Sequence, residues 1–128
     1  MMDYVHLLIL LALVQFIFFT ARTGFARNKY AVHAPATTGN ETFERIFRVQ
    51  QNTMEQLVLF IPGMLAFAHY VSHSWALLPG VLYLVGRQVY SHQYVADPKQ
   101  RELGMTLSLA ANIALVAGAL VGLALQLV

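Results

Sequence analysis

The chain contains no cysteine. That absence removes disulfide frameworks, thiolate metal sites and protein-thiol nucleophiles, so any thiol chemistry has to arrive with a ligand. Charge is scarce as well. Asp, Glu, Lys and Arg make up 11% of the residues, against about 25% in a typical soluble domain. What the chain has in abundance is apolar: 58% of its 128 residues, with a mean hydropathy of +0.57. Four spans of about 20 residues each leave connectors well below the roughly 50-residue floor for a separate domain. The composition therefore excludes a multidomain protein, a water-soluble enzyme and a disordered chain. It implies a small integral membrane protein, one four-span domain over residues 1–128. The net charge of +2 comes without a basic helix or an aromatic-basic module outside the apolar segments, so no nucleic-acid partner is expected.

The first span is expected over about residues 5–21, and because Asp3 is the only early charge, it reads as an uncleaved helix rather than a signal peptide. The stretch from Ala21 to Thr42 turns polar and carries Pro35, Gly39 and Asn40, which signal a loop, with Thr42 as a candidate helix cap. A second helix is expected over about 43–71, kinked at Pro62 and Gly63. Ser72 to Ser74 reads as a minimal connector. The third helix is expected over about 75–95, stopped by Asp97-Pro98, and the fourth over about 100–127. Short connectors between four helices predict an all-α, antiparallel membrane bundle. All eight Lys and Arg residues fall on the first and third connectors or the helix ends beside them. The positive-inside rule then puts those connectors in the cytoplasm, with both termini and the Ser72–Ser74 turn extracytoplasmic.

Polar residues recur at helical spacing where an apolar environment makes them costly. Arg48, Asn52 and Glu55 stand at i, i+4 and i+7, flanked by Gln51 and Gln56; Arg87, Tyr90 and Tyr94 stand at i, i+3 and i+7. Arg101 opens the fourth helix at the same end. A charge at membrane depth costs about 2.5–3.5 kcal/mol on the insertion scale, so such groups face partners or a wet cavity. Plain ion pairs, Arg48–Glu55 or Arg87–Glu55, are the bland alternative. One glutamate cannot neutralise three or four guanidinium groups, however, and the excess calls for an external anion. Arginine forks take carboxylates and Glu55 suits an ammonium, so a ligand with two carboxylates and one amine fits. His69 and His73, four apart, lack a third ligand beyond His6, and no metal is expected.

The stretch TTGNETFERIFRVQQNTMEQ (Thr37 to Gln56), with GRQVYSHQY (Gly86 to Tyr94) and KQRELGM (Lys99 to Met105), resembles the MAPEG family, the membrane-associated proteins of eicosanoid and glutathione metabolism. The resemblance runs from about Ala26 to Leu109. It implies four-helix protomers in a homotrimer, with glutathione as co-substrate held between subunits near the cytoplasmic side. It places Arg27, Arg48, Gln50, Asn52, Glu55, Arg87, Tyr90, Tyr94 and Arg101 on the family's glutathione-contacting positions. Arg48 would hold a carboxylate, Glu55 the γ-glutamyl ammonium and Arg101 the sulfur, with Arg101 and Tyr94 the catalytic candidates. Two positions depart from relatives: Gln56 replaces an aromatic residue of several eukaryotic members, and Asn28 a second arginine of the leukotriene-forming synthase. A free cysteine-like thiol has a pKa near 8.5. A guanidinium beside it lowers that value and frees a thiolate for attack on a lipophilic electrophile from the bilayer lipid, or on a lipid hydroperoxide. The expected activity is that of a membrane glutathione transferase with a peroxidase side activity. The alternatives are a non-catalytic lipid-presenting protein of the same fold and, less favoured, a four-span exporter built around a lone acid in an apolar cavity.

Overall fold

A computed structural model describes residues 2–128. Helix α1 covers Met2–Tyr30, α2 Glu41–Tyr70, α3 His73–Ala96 and α4 Glu102–Leu127, with a single 3-10 turn at Pro98–Gln100 between α3 and α4. Helices α2 and α3 pack on each other, and each also packs on both α1 and α4, forming an all-helical bundle. Several boundaries differ from the sequence reading, three of them for a visible local reason. Helix α1 continues nine residues past the expected end near Ala21. No proline interrupts that stretch, and Thr23 and Ala26 are buried against the rest of the bundle, which holds the extra turns. Helix α2 starts at Glu41 and is capped by Asn40, not Thr42. Asn40 is extended (φ −154°, ψ 127°) and its Oδ1 accepts from the Phe43 amide at 3.0 Å, while Glu44 reaches back to the Gly39 amide, satisfying two otherwise orphaned donors. Helix α3 starts at His73 because Ser72 caps it through the Trp75 amide.

The main core lies at the end remote from the arginines. It joins Val5, Leu8 and Ala12 of α1, Phe60 and Met64 of α2, Ala76 and Tyr83 of α3, and Leu115 of α4. The Phe60 and Tyr83 rings stack there, 3.9 Å between centroids. A second cluster at the other end joins Phe19, Val49 and Tyr90, with Tyr94, Val95 and Met105 against it. Helices α3 and α4 approach closely because Gly86 lies under Leu107 and Ser108, and Gly104 lies against the backbone of Tyr90. Small residues at such contacts let membrane helices come together.

The outside of the bundle is apolar. Leu7, Leu10, Val14, Ile17, Phe18 and Phe25 of α1 are exposed, as are Ile113, Val116 and Leu120 of α4. A contiguous apolar exterior of this extent marks a surface that lipid or another protein covers. Helix α1 and the segment Pro98–Leu127 are long and apolar enough to cross a membrane by length and composition. Helices α2 and α3, of 30 and 24 residues, measure about 45 and 36 Å, and each concentrates its polar residues at the arginine-bearing end. Pro62 and Pro79 lie within α2 and α3, and both helices continue through them.

Candidate functional site

At the arginine-bearing end, the first turns of α2 and the corner between α3 and the 3-10 turn enclose a cleft of about 520 Å³, lined by Thr37, Glu41, Glu44, Arg45, Phe47, Arg48, Gln51, Tyr94 and Pro98. Helical spacing explains why these α2 residues share it: the rows 41–44–48–51 and 41–45–48 each advance by three or four. Arg45 is partly committed, donating to the Val95 carbonyl at 3.3 Å and lying 3.9 Å from Glu41. Arg48 is exposed, and among the described residues it has no ion-pair partner. Tyr94 is half-buried and stacks parallel on Tyr90, 5.3 Å between centroids. The cleft thus holds two guanidinium groups, two carboxylates, an amide and a phenol. The sequence reading overlooked Glu41 and Glu44, whose spacing from Arg48 was the available signal. They reduce the expected positive excess and suit the cleft to a zwitterion with several carboxylates and an amine.

Arg87 and Asn52 lie elsewhere than the ligand-facing stripe that the spacing suggested. Arg87 is fully buried. One terminal nitrogen donates to Asn52 Oδ1 at 2.6 Å and, more loosely, to Thr53 Oγ1 at 3.3 Å; the other donates to Ser108 Oγ at 2.8 Å. Its guanidinium also lies 4.6 Å from the centroid of the Tyr90 ring, and Tyr90 itself is buried. Arg87 is therefore a hub that ties α2, α3 and α4 together, through neutral acceptors that the low-dielectric interior makes strong. Neither ion pair of the bland alternative forms: among the described residues Glu55 is exposed and joins neither Arg48 nor Arg87. Its place on the outside of α2 also differs from the lone acid in an internal cavity that an exporter needs.

Three further candidates occupy other surfaces. Arg27 donates to the Ala36 carbonyl at 2.7 Å and to that of Val32 at 3.4 Å, and it sits over the Phe43 ring at 5.0 Å, so it pins the α1–α2 loop. Gln50 is two residues beyond Arg48, about 200° around the helix, and is half-buried on the opposite side. Arg101 is exposed and lines a separate hollow of about 310 Å³ on the flank of α4. The chain thus gathers Arg48, Gln51 and Tyr94 but leaves Gln50, Glu55 and Arg101 outside their cleft. Sequence reasoning also passed over Arg22, whose Nε and one terminal nitrogen are buried without a partner while the group covers the Phe19 ring at 5.1 Å. An arginine seven residues beyond Gln15 on one face of α1 was the available signal. Among the described residues no group of three His, Cys, Asp or Glu is placed to hold a metal.

Comparison with known proteins adds an independent finding. Residues 5–121 match the model of the MAPEG family. An uncharacterized protein of Synechocystis sp. is 42% identical over 117 residues, 91% of this chain and 85% of that protein. Human microsomal glutathione S-transferase 2 is 38% identical over 100 residues, covering 78% and 68% of the two chains. Bovine leukotriene C4 synthase is 34% identical over 106 residues, covering 83% and 71%.

Proposed function

The chain belongs to the MAPEG family, and from that premise we propose that it is a membrane-bound glutathione transferase that activates the glutathione thiolate for attack on lipophilic electrophiles. Its relatives support a membrane enzyme that uses glutathione. The observation that carries the finer reading is the cleft itself. Arg48, Arg45, Gln51 and Tyr94 converge with Glu41 and Glu44 at one end of the bundle, and that set suits a peptide bearing two carboxylates and one ammonium. Arg48 takes a carboxylate through its free fork, and Tyr94 closes the wall against the peptide.

The distribution of the remaining candidates supports a site shared between protomers of a homotrimer. Gln50 and Arg48 face opposite sides of α2, so one bound tripeptide meets both only if two copies of the chain present them. The same holds for the separate surfaces that carry Arg48 and Arg101. In this arrangement Arg48, Glu55 and Tyr94 hold the peptide. Arg101 stands by the sulfur, where its positive charge at the edge of a low-dielectric slab favours the thiolate. The bound thiol gives its proton to solvent, and the thiolate attacks an electrophilic carbon, whose leaving group departs with the electron pair. As a side activity it attacks the terminal oxygen of a lipid hydroperoxide: the O–O bond breaks, the lipid alkoxide takes a proton from solvent, and the glutathione sulfenic acid reacts with a second glutathione to give the disulfide and water. The apolar second substrate enters from the bilayer. The arginine-bearing end faces the cytoplasm by the positive-inside rule.

Purified protein in detergent, mixed with glutathione, should show the rise in ultraviolet absorbance that accompanies thiolate formation. With a model aryl halide added, mass spectrometry should show the glutathione conjugate accumulating above the uncatalysed rate. Absorbance and product that stay at the no-protein level overturn the reading. A thiolate signal without product leaves glutathione binding standing and removes the transferase activity.

A further inference from the structure

Arg101 shares its hollow on α4 with an opposite charge. The hollow is lined by Arg101, Glu102, Met105, Thr106 and Leu109, two neighbouring rows of the helix surface, 101–105–109 and 102–106. Beyond Leu109 the same flank continues through Ile113, Val116 and Leu120, all exposed. The surface therefore has a charged mouth and an apolar track about three turns long leading away from it. A lipophilic molecule lying on the track brings one end to the mouth, beside Arg101.

Glu102 is exposed and among the described residues has no ion-pair partner. A glutamate in the first turn of a helix is favourable to the helix dipole. That accounts for its place at the start of α4 but is indifferent to what lies in the hollow. When a thiolate stands against Arg101, those two charges cancel, and Glu102 is left as the unbalanced charge at the mouth. Exposure lets solvent and salt weaken its field without abolishing it over the few ångströms to an adjacent ligand.

We infer that this hollow receives uncharged or cationic lipophilic electrophiles and turns away those with a carboxylate close to the reacting carbon, Glu102 being the residue that discriminates. The inference rests on the reading of Arg101 as the residue beside the thiolate. With an aryl chloride the chemistry balances simply: the C–S bond forms, the C–Cl bond breaks, and chloride leaves with the electron pair. The thiol proton has already gone to solvent, and nothing is oxidised or reduced.

The test uses the full chain in detergent with saturating glutathione and two matched probes, 4-chloro-3,5-dinitrobenzoate and its methyl ester. Each kcat/KM is divided by the uncatalysed rate with glutathione, which removes the difference in intrinsic reactivity. Partition into micelles is common to all variants and drops out when they are compared. The native protein should prefer the ester. Glu102→Gln should reduce that preference by about five- to twentyfold, the effect of one partly screened charge at 5–10 Å. Glu102→Asp should retain most of the preference, and raised salt should shrink it in the native and Asp proteins but not in Glu102→Gln. A Glu102→Gln protein with native helix content and an unmoved ester-to-acid ratio overturns the inference and leaves the transferase reading intact. Failure of the native protein to conjugate either probe overturns that reading, and the inference with it.

Discussion

At the scale of single residues, two arginines that look alike in sequence line separate hollows, and the proposed function gives them separable roles. Arg48 is in the cleft with Tyr94, and Arg101 is on the flank of α4. If Arg101 stabilises the thiolate, the bound thiol titrates below its free value of about 8.5. Removing the guanidinium raises it again. Arg101→Ala should therefore shift the acid limb of the kcat/KM profile to higher pH, losing about ten- to thirtyfold at neutral pH and progressively less as the pH passes about 9. Glutathione affinity should change less. Arg48→Ala should do the reverse, raising the KM for glutathione while leaving the pH profile in place. Stopped-flow pH–rate profiles of both variants check the pair, and identical behaviour would merge the two roles. Glu55 offers a third test. It is exposed and, among the described residues, unpaired with arginine, so Glu55→Gln should leave folding untouched. It should weaken glutathione binding by about ten- to a hundredfold, the loss of one charge-assisted hydrogen bond. Calorimetric titration showing native affinity would confine Glu55 to some other task.

At the scale of the elements, the closest glycine-mediated approach is where α3 meets α4. A methyl group added at Gly104 collides with the backbone and Cβ of Tyr90, whereas one added at Gly24 in α1 meets nothing within 4 Å. Gly104→Ala should push the helices apart and cost about 1–3 kcal/mol. It should also disturb the site, because Tyr90 carries the stacked Tyr94. Gly24→Ala in an open helical position should be neutral or gain up to about 1 kcal/mol. Thermal unfolding in one detergent compares them, and equal midpoints would mean the α3–α4 contact yields more easily than close packing allows. The same junction shows what was legible in the sequence. The helices and their polar ends follow from the apolar runs and the turn residues. Their ends do not: Thr42 and Asn40 are equally good caps by residue type, and only the extended backbone at Asn40 selects one. The turns of α1 beyond Ala21 are polar in composition but helical, because the burial of Thr23 and Ala26 against neighbouring helices outweighs the local preference.

At the scale of the whole molecule, the charge distribution sets orientation and the apolar exterior sets environment. With every Lys and Arg at the end that holds the α1–α2 and α3–α4 connectors, a reporter fused after Val128 should read as extracytoplasmic. A cytoplasmic signal from that fusion would invert the bundle and place the cleft on the far side. The proposed assembly rests on the division of the candidate residues between surfaces, and it can be tested directly. Mass spectrometry of the detergent-solubilised protein should find three copies, and glutathione binding should disappear where the protein is monomeric.

The sequence by itself determined the membrane setting, the four-helix class, the family and the list of residues able to bind a carboxylate or an ammonium, because composition, period and motif are properties of the chain alone. It did not determine which of those residues turn toward a ligand. Helical spacing places Arg87 on one stripe with Tyr94, and Asn52 on one stripe with Arg48, as though all four faced the same space. Only the tertiary structure separated them. Asn52, Thr53 and Ser108 come from two other helices to surround the Arg87 guanidinium, and a buried cation stays where several acceptors converge on it. Tyr94, one turn beyond Tyr90, reaches the edge of the bundle and remains for the cleft. Periodicity fixes the face of a helix, but which neighbour that face meets is decided by how the other three pack.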